Sequence, residues 1–125
     1  MGAGYLIDTN VLIDAQTKKL PESGLAFLAG LIDENFTISF ITYIEFLGYK
    51  NSTLAMQEFI ALANVIEVNK AIIDTTVALR KSTAIQLPDA IIAATALCYD
   101  YALVTRNTKD FKNITGLVIS NPWDE

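Results

Sequence analysis

The feature that most constrains this chain is a junction that recurs along it: a short apolar run ends, an acidic residue follows, and a helix-starting signal begins. Asp8 closes the run in YLIDTN (5–10), Glu45 stands in ITYIE (41–45), Asp89 in LPDA (87–90), and Asp110 ends LVTRNTKD (103–110). Strand-like runs are read at 4–7, 36–41, 65–68, 102–105 and 116–119. Helix-like stretches follow at 9–18, from about 20 to 33, at 42–49, at 53–63 behind Ser52 as cap, at 71–84 and at 87–99. The resulting order, βααβααβααβαβ, predicts a parallel sheet covered by helices on both faces. If the runs before Asp8, Ile41 and Arg106 are neighbouring strands, the chain leaves each of them at the same edge. Open α/β sheets place their sites at that edge.

Carboxylates gathered at one edge repel each other. Two unit charges about 4 Å apart cost about 4 kcal/mol at an effective dielectric of about 20. A fold gains nothing from such a cluster unless a cation fills it, so Asp8, Glu45, Asp89 and Asp110 are the candidate metal ligands. The chain contains no histidine, which excludes Ser-His-Asp and Cys-His machinery and ordinary zinc sites built on imidazole. A hard cation held by oxygen, Mg2+ or Mn2+, fits the donors that remain.

Each acid, taken singly, has a plainer reading. Asp8 suits the N-cap of the helix that follows it. Glu45 stands three residues after Thr42, the spacing of a capping box. Asp89 follows Pro88 in the first turn of an apolar helix, where the helix dipole favours an anion. Asp110 stands three residues after Asn107, another capping arrangement. Caps explain acids at helix starts, but not why three of them should follow strands that adjoin. Thr9 and Asn10 directly after Asp8, and Thr105, Arg106 and Asn107 leading to Asp110, are candidate substrate contacts or supports for the ligating carboxylates. Arg106 has the fork geometry to steady a phosphate, and its plainer reading is a solvated side chain or an ion pair with one of the acids. Asp14 and Asp100 lie further along their helices and read as structural or solvated.

At 125 residues, 52% apolar and 18% charged, the chain is read as one compact domain over 1–125. The net charge of −5 disfavours non-specific nucleic-acid binding through charge alone, and the lysines form no dense run. A cation bound at the acids would reverse the local potential, so a nuclease stays open. The apolar stretch 90–98 is too short to cross a bilayer. No signal peptide is read at the start, and the single cysteine, Cys98, reads as a small core residue; both point to a cytoplasmic protein. The end NPWDE (121–125) reads as loosely held.

The motifs resemble those of a known family. YLIDTNVLID (5–14) resembles the opening of PIN-domain ribonucleases. LPDAIIAATA (87–96) is similar to the third acidic motif of the VapC-type toxins in that family, LVTRNTKDF (103–111) to the fourth, and IEF (44–46) to the second. The resemblance covers essentially the whole chain. It implies a three-layer α/β/α fold with a five-stranded parallel sheet, and a Mg2+- or Mn2+-dependent endoribonuclease whose ligands are Asp8, Glu45, Asp89 and Asp110. It further implies cleavage of RNA to 5′-phosphate and 3′-hydroxyl ends, a homodimer, and a cognate antitoxin. The helical stretches 24–32 and 54–63 carry apolar residues that could accept such a partner or a second copy. One departure is Ile85-Gln86, where many relatives carry a basic residue. Two rivals stand beside this reading. An inactive module kept for protein contacts fits the acidic balance, although all four acids are present. A phosphatase of the haloacid-dehalogenase kind needs an Asp where this chain has Asn10.

Overall fold

A computed structural model describes residues 4–124; the outermost residues of the expected 1–125 domain, Glu125 of the tail among them, lie outside the described part. The elements are β1 (Gly4–Ile7), α1 (Thr9–Gln16), α2 (Glu22–Asn35), β2 (Thr37–Ser39), α3 (Phe40–Leu47), α4 (Leu54–Ile60), β3 (Asn64–Ile66), α5 (Lys70–Ser82), α6 (Leu87–Tyr99), β4 (Tyr101–Val104), α7 (Thr108–Phe111) and β5 (Ile119–Ser120), followed by a 3-10 turn over Pro122–Asp124. This is the alternation read from the sequence, element for element.

All the paired strands run parallel. β1 pairs with β4 in the register Leu6 to Leu103 and Ile7 to Val104, and β4 pairs with β5. β2 pairs with β3. The expected single five-stranded sheet is corrected to a three-stranded sheet, β1-β4-β5, and a two-stranded sheet, β2-β3. β2 packs against β1, but no ladder joins the two among the described residues. Its three residues end at Ser39, which turns the chain into α3 by accepting a hydrogen bond from the Ile41 N–H at 3.2 Å. The strand is cut short where a ladder would have continued.

The alternation of side chains along a strand builds the core on both faces. Leu6 and Leu103 point into one apolar cluster with Ile72 of α5 and Ile92, Ala93 and Ala96 of α6. Their neighbours Ile7 and Val104 point into a second cluster with Val11 and Leu12 of α1, Leu28 of α2, Phe46 of α3 and Ile60 of α4. A strand buried on both faces needs the continuous apolar run that these strands carry. Each of the larger of these side chains, the leucines, isoleucines, valines and Phe46, contributes about 1.5–3 kcal/mol on burial.

Several local readings change. Thr53, not Ser52, caps α4, accepting from the Met56 N–H at 3.1 Å. Cys98 is exposed, not a core residue; it falls on the last turn of α6, 3.5 Å from the Thr75 hydroxyl. Asp100 ends α6 in the left-handed region, at φ 56°, a conformation that Asp tolerates better than most residues. The tail is not loose. Pro122 is buried and its turn packs on α2, at Gly24, where a Cβ would run into the Pro122 carbonyl oxygen.

The Gly24→Ala variant should therefore free the tail, at about 1–3 kcal/mol, the range for overpacking. Trp123 is the only tryptophan, so its fluorescence should become more accessible to acrylamide while the melting temperature falls. Unchanged quenching would mean that the tail is held elsewhere.

Candidate active site

The site assembles where β1 and β4 end side by side. Asp8 is the first residue beyond β1, and its N–H donates to the Val104 carbonyl at 2.9 Å, which extends the strand pairing to the carboxylate itself. The side chain is buried, 3% exposed, and every polar neighbour that holds it is a donor. The Thr9 N–H reaches Oδ1 at 2.7 Å, which makes Asp8 the N-cap of α1 as its position suggests. The Thr105 hydroxyl reaches Oδ2 at 2.8 Å and the Asn10 amide reaches the same oxygen at 3.0 Å. Burial nevertheless raises the Asp8 pKa, with the charge of Glu45 adding to it; the donors only moderate the rise.

Glu45 is brought in by a different route from the one its sequence spacing suggests. Because α3 starts at Phe40 behind Ser39, Glu45 falls well inside the helix and not at the N3 position of a capping box. Its carboxylate is thereby released from the backbone, and Oε1 accepts from the Thr9 hydroxyl at 2.6 Å. Thr9 thus donates to Asp8 through its backbone and to Glu45 through its side chain. Asp89 stands in the first turn of α6 behind Pro88, as expected. Its pKa is pushed up to about 6, first by burial and then by the charges of Asp8, Asp110 and Glu45 in that order. Asp89 therefore lies within the field of the other three candidate carboxylates. Asp110, on α7, is exposed and lines, with Asp89, Gln86, Lys109 and Asn113, an open cavity of about 340 Å3.

The polar neighbours divide into two groups. Thr9, Asn10 and Thr105 touch the acids directly. Asn107 does not; its N–H donates to the Thr105 hydroxyl oxygen at 3.1 Å, steadying the donor to Asp8. Arg106 turns away to an ion pair with Asp14, Nη1 to Oδ2 at 2.8 Å, so this nitrogen does not serve a phosphate. Asp14 is itself buried, 3% exposed, and the indole N–H of Trp123 donates to the same oxygen at 3.3 Å. The sequence reading missed this cluster. Its available signal was spacing: Asn10 and Asp14 are four apart on α1 and so share the face turned to the β4–α7 connection.

Among the described residues no three acidic or cysteine side chains stand ready-made as a cation cage. Asp8 and Glu45 are instead turned to protein donors. As a donor set the four carboxylates still suit a hard cation: two of them carry raised pKa values caused by burial and by one another, and hydroxyls and amides complete their surroundings without imidazole or thiolate.

The family model for the PIN domain matches residues 5–117. The chain belongs to the PIN-domain family. It is 29% identical to Ribonuclease VapC1 of Rickettsia felis over 93% of this chain and 94% of that protein. Among solved structures it is similar to a toxin–antitoxin complex from Klebsiella pneumoniae, at 34% identity and a TM-score of 0.74 over 95% of this chain and 98% of that one. It is also similar to VapBC-1 from nontypeable Haemophilus influenzae, at 28% identity and a TM-score of 0.76 over 97% and 98%. The family resemblance read from the motifs is thus shown, and this PIN domain is VapC-like along its whole length.

The raised Asp89 pKa has a consequence for stability. A folded value of about 6 against 3.8 for the free group means that the unfolded chain gives up this proton first. Stability of the metal-free protein is therefore lost as pH rises through that window. The difference cannot exceed about 3 kcal/mol, at about 1.4 kcal/mol per unit, and solvent on the open side of the half-buried group brings it down to about 1 kcal/mol. In chelator, Asp89→Asn should melt higher than the wild type at pH 7 and show less loss of stability between about pH 4 and 7. Equal melting temperatures across that range would contradict the crowding of charge at this site.

Proposed function

We propose that this single-domain PIN protein is a Mg2+- or Mn2+-dependent endoribonuclease that acts in the cytoplasm as the toxin of a toxin–antitoxin pair. The observation that carries the proposal is the gathering of the four acids: Thr9 joins Asp8 to Glu45, Asp89 and Asp110 line one cavity, and Asp89 feels the charge of the other three. Membership of the family and the VapC-like relatives support the same reading.

Asp8, Asp89, Glu45 and Asp110 are the residues that would hold the metal. When bound, it supplies charge neutralisation at a phosphodiester and makes water more acidic near neutral pH. The chain's own contribution is orientation. Thr105, Asn10 and the Thr9 N–H fix both oxygens of Asp8, and the Thr9 hydroxyl fixes Glu45 against it. Burial and its acidic neighbours push the Asp89 pKa up to about 6 in the metal-free chain, and a bound cation would favour its ionised, ligating form. Lys109, beside Asp110 at the cavity, is placed to meet the backbone of an incoming strand. RNA cleaved by in-line attack then leaves 5′-phosphate and 3′-hydroxyl ends.

The partner reading rests on surface. Ile44 and Leu47 of α3 and Leu54 of α4 are exposed, as is Leu62 just beyond, an apolar area suited to an antitoxin or to a second copy in a homodimer. No helix among the described residues is long and apolar enough to cross a membrane.

Against an RNA pool with Mn2+, the wild type should cleave, chelator should stop it, and Asp8→Asn or Asp89→Asn should lower the rate by at least about 100-fold, while each variant keeps the wild-type circular dichroism. Wild-type rates in both variants would rule out this site. An inactive module predicts no cleavage by any of the three.

A further inference from the structure

The buried charge that the proposed chemistry leaves unused is Asp14. Asp8 and Asp14 both lie on or beside α1, and a continuous set of hydrogen bonds runs between them. From the tail, the Trp123 indole N–H donates to Asp14 Oδ2 at 3.3 Å. The same oxygen receives the Arg106 guanidinium at 2.8 Å. Arg106, held there, donates its backbone N–H to Asn10 Oδ1 at 3.1 Å. Asn10 in turn donates its amide to Asp8 Oδ2 at 3.0 Å. Thr105, the residue before Arg106, delivers its hydroxyl to that same Asp8 oxygen at 2.8 Å.

The geometry constrains this set from both ends. Asp14 is 3% exposed, and a buried carboxylate that loses its partner is costly, so Arg106 is strongly held. On the tail's side, the Pro122 carbonyl lies so close to Gly24 that no Cβ would fit there. The connection from β4 to α7 has little regular structure of its own, and α7 is only four residues long. Thr105 is held by its N–H bond to the Ser120 carbonyl at 3.0 Å, and what fixes Arg106 beyond it is the contact with Asp14 and Asn10. Those same residues aim the donors at Asp8.

We infer that Asp14 and Trp123 are positioning residues for Asp8: Asp14, held from the docked C-terminal turn by Trp123, sets Arg106, and Arg106 sets the Asn10 side chain, so that the Asp8 carboxylate presents a fixed pair of oxygens. The inference rests on the nuclease reading for its consequence in catalysis, but not for the linkage itself. It makes the last few residues part of the site although they lie outside every acidic motif.

The test compares Asp14→Asn, which keeps the side-chain size, and Trp123→Phe, which keeps a ring and removes the N–H, with Ile60→Val, a core change in α4 remote from the network. In the metal-free protein, hydrogen exchange at the Arg106 amide should speed up about tenfold or more in Asp14→Asn, less in Trp123→Phe, and not in Ile60→Val. Mn2+ affinity by calorimetry and kcat on an RNA that the wild type cleaves should fall about 10–100-fold in Asp14→Asn with KM little changed, the size typical of residues that orient ligands. If Asp14→Asn lowers the melting temperature but matches Ile60→Val in exchange, affinity and kcat, the positioning role is overturned and Asp14 is structural only. Should Asp14→Asn not fold, Trp123→Phe carries the same readouts. A wild type that neither binds Mn2+ nor cuts RNA would remove the nuclease reading, and exchange at Arg106 would still decide the linkage.

Discussion

The structure depends on one expensive placement: a carboxylate, Asp8, buried at the end of a parallel strand. Isolated in that position it would carry a penalty of several kcal/mol, and its pKa rises accordingly. Three donors from three residues hold it, and they come from two ends of the chain, since Thr105 lies 97 residues away. The pairing of β1 with β4 makes that meeting possible. In this sense the parallel sheet is the device that lets residues at opposite ends of the sequence share one carboxylate.

The remaining acids follow from this placement. α3 and α6 touch each other, and each delivers a carboxylate toward Asp8, Glu45 through Thr9 and Asp89 through the field that lifts its pKa to about 6. The surplus of negative charge at the site is what the proposed cation would answer. A hard cation would remove the desolvation and repulsion together. The tail enters the same system from outside, through Trp123, Asp14 and Arg106.

Much of this was legible in the sequence, for physical reasons that differ by feature. The order of elements was readable because apolar runs of four to five residues between amphipathic stretches admit few other arrangements, and α6 was bounded correctly by Pro88 and by the polar residues after Tyr99. Asp8, Thr9, Asn10 and Thr105 were readable because each sits at a strand end. The rest depended on tertiary contacts that local spacing does not encode. Thr42 to Glu45 has the spacing of a capping box, but Ser39 captured the helix start first. A single five-stranded sheet looked natural, yet β2 stops after three residues. Cys98 lies in an apolar run, but the outer face of α6 turns to solvent by its last turn. For Arg106 the plainer of its readings holds, an ion pair with an acid, but local spacing did not single out Asp14 as that acid.

The most direct measurement of the central claim is a crystal structure of the protein soaked in Mn2+, with anomalous scattering to locate the ion. The account predicts an anomalous peak at the end of β1, within about 2.0–2.3 Å of carboxylate oxygens of both Asp8 and Asp89, as expected for a small hard cation. Bound Mn2+ found only elsewhere on the molecule, with Asp8 still turned wholly to Thr105, Asn10 and Thr9, would contradict it.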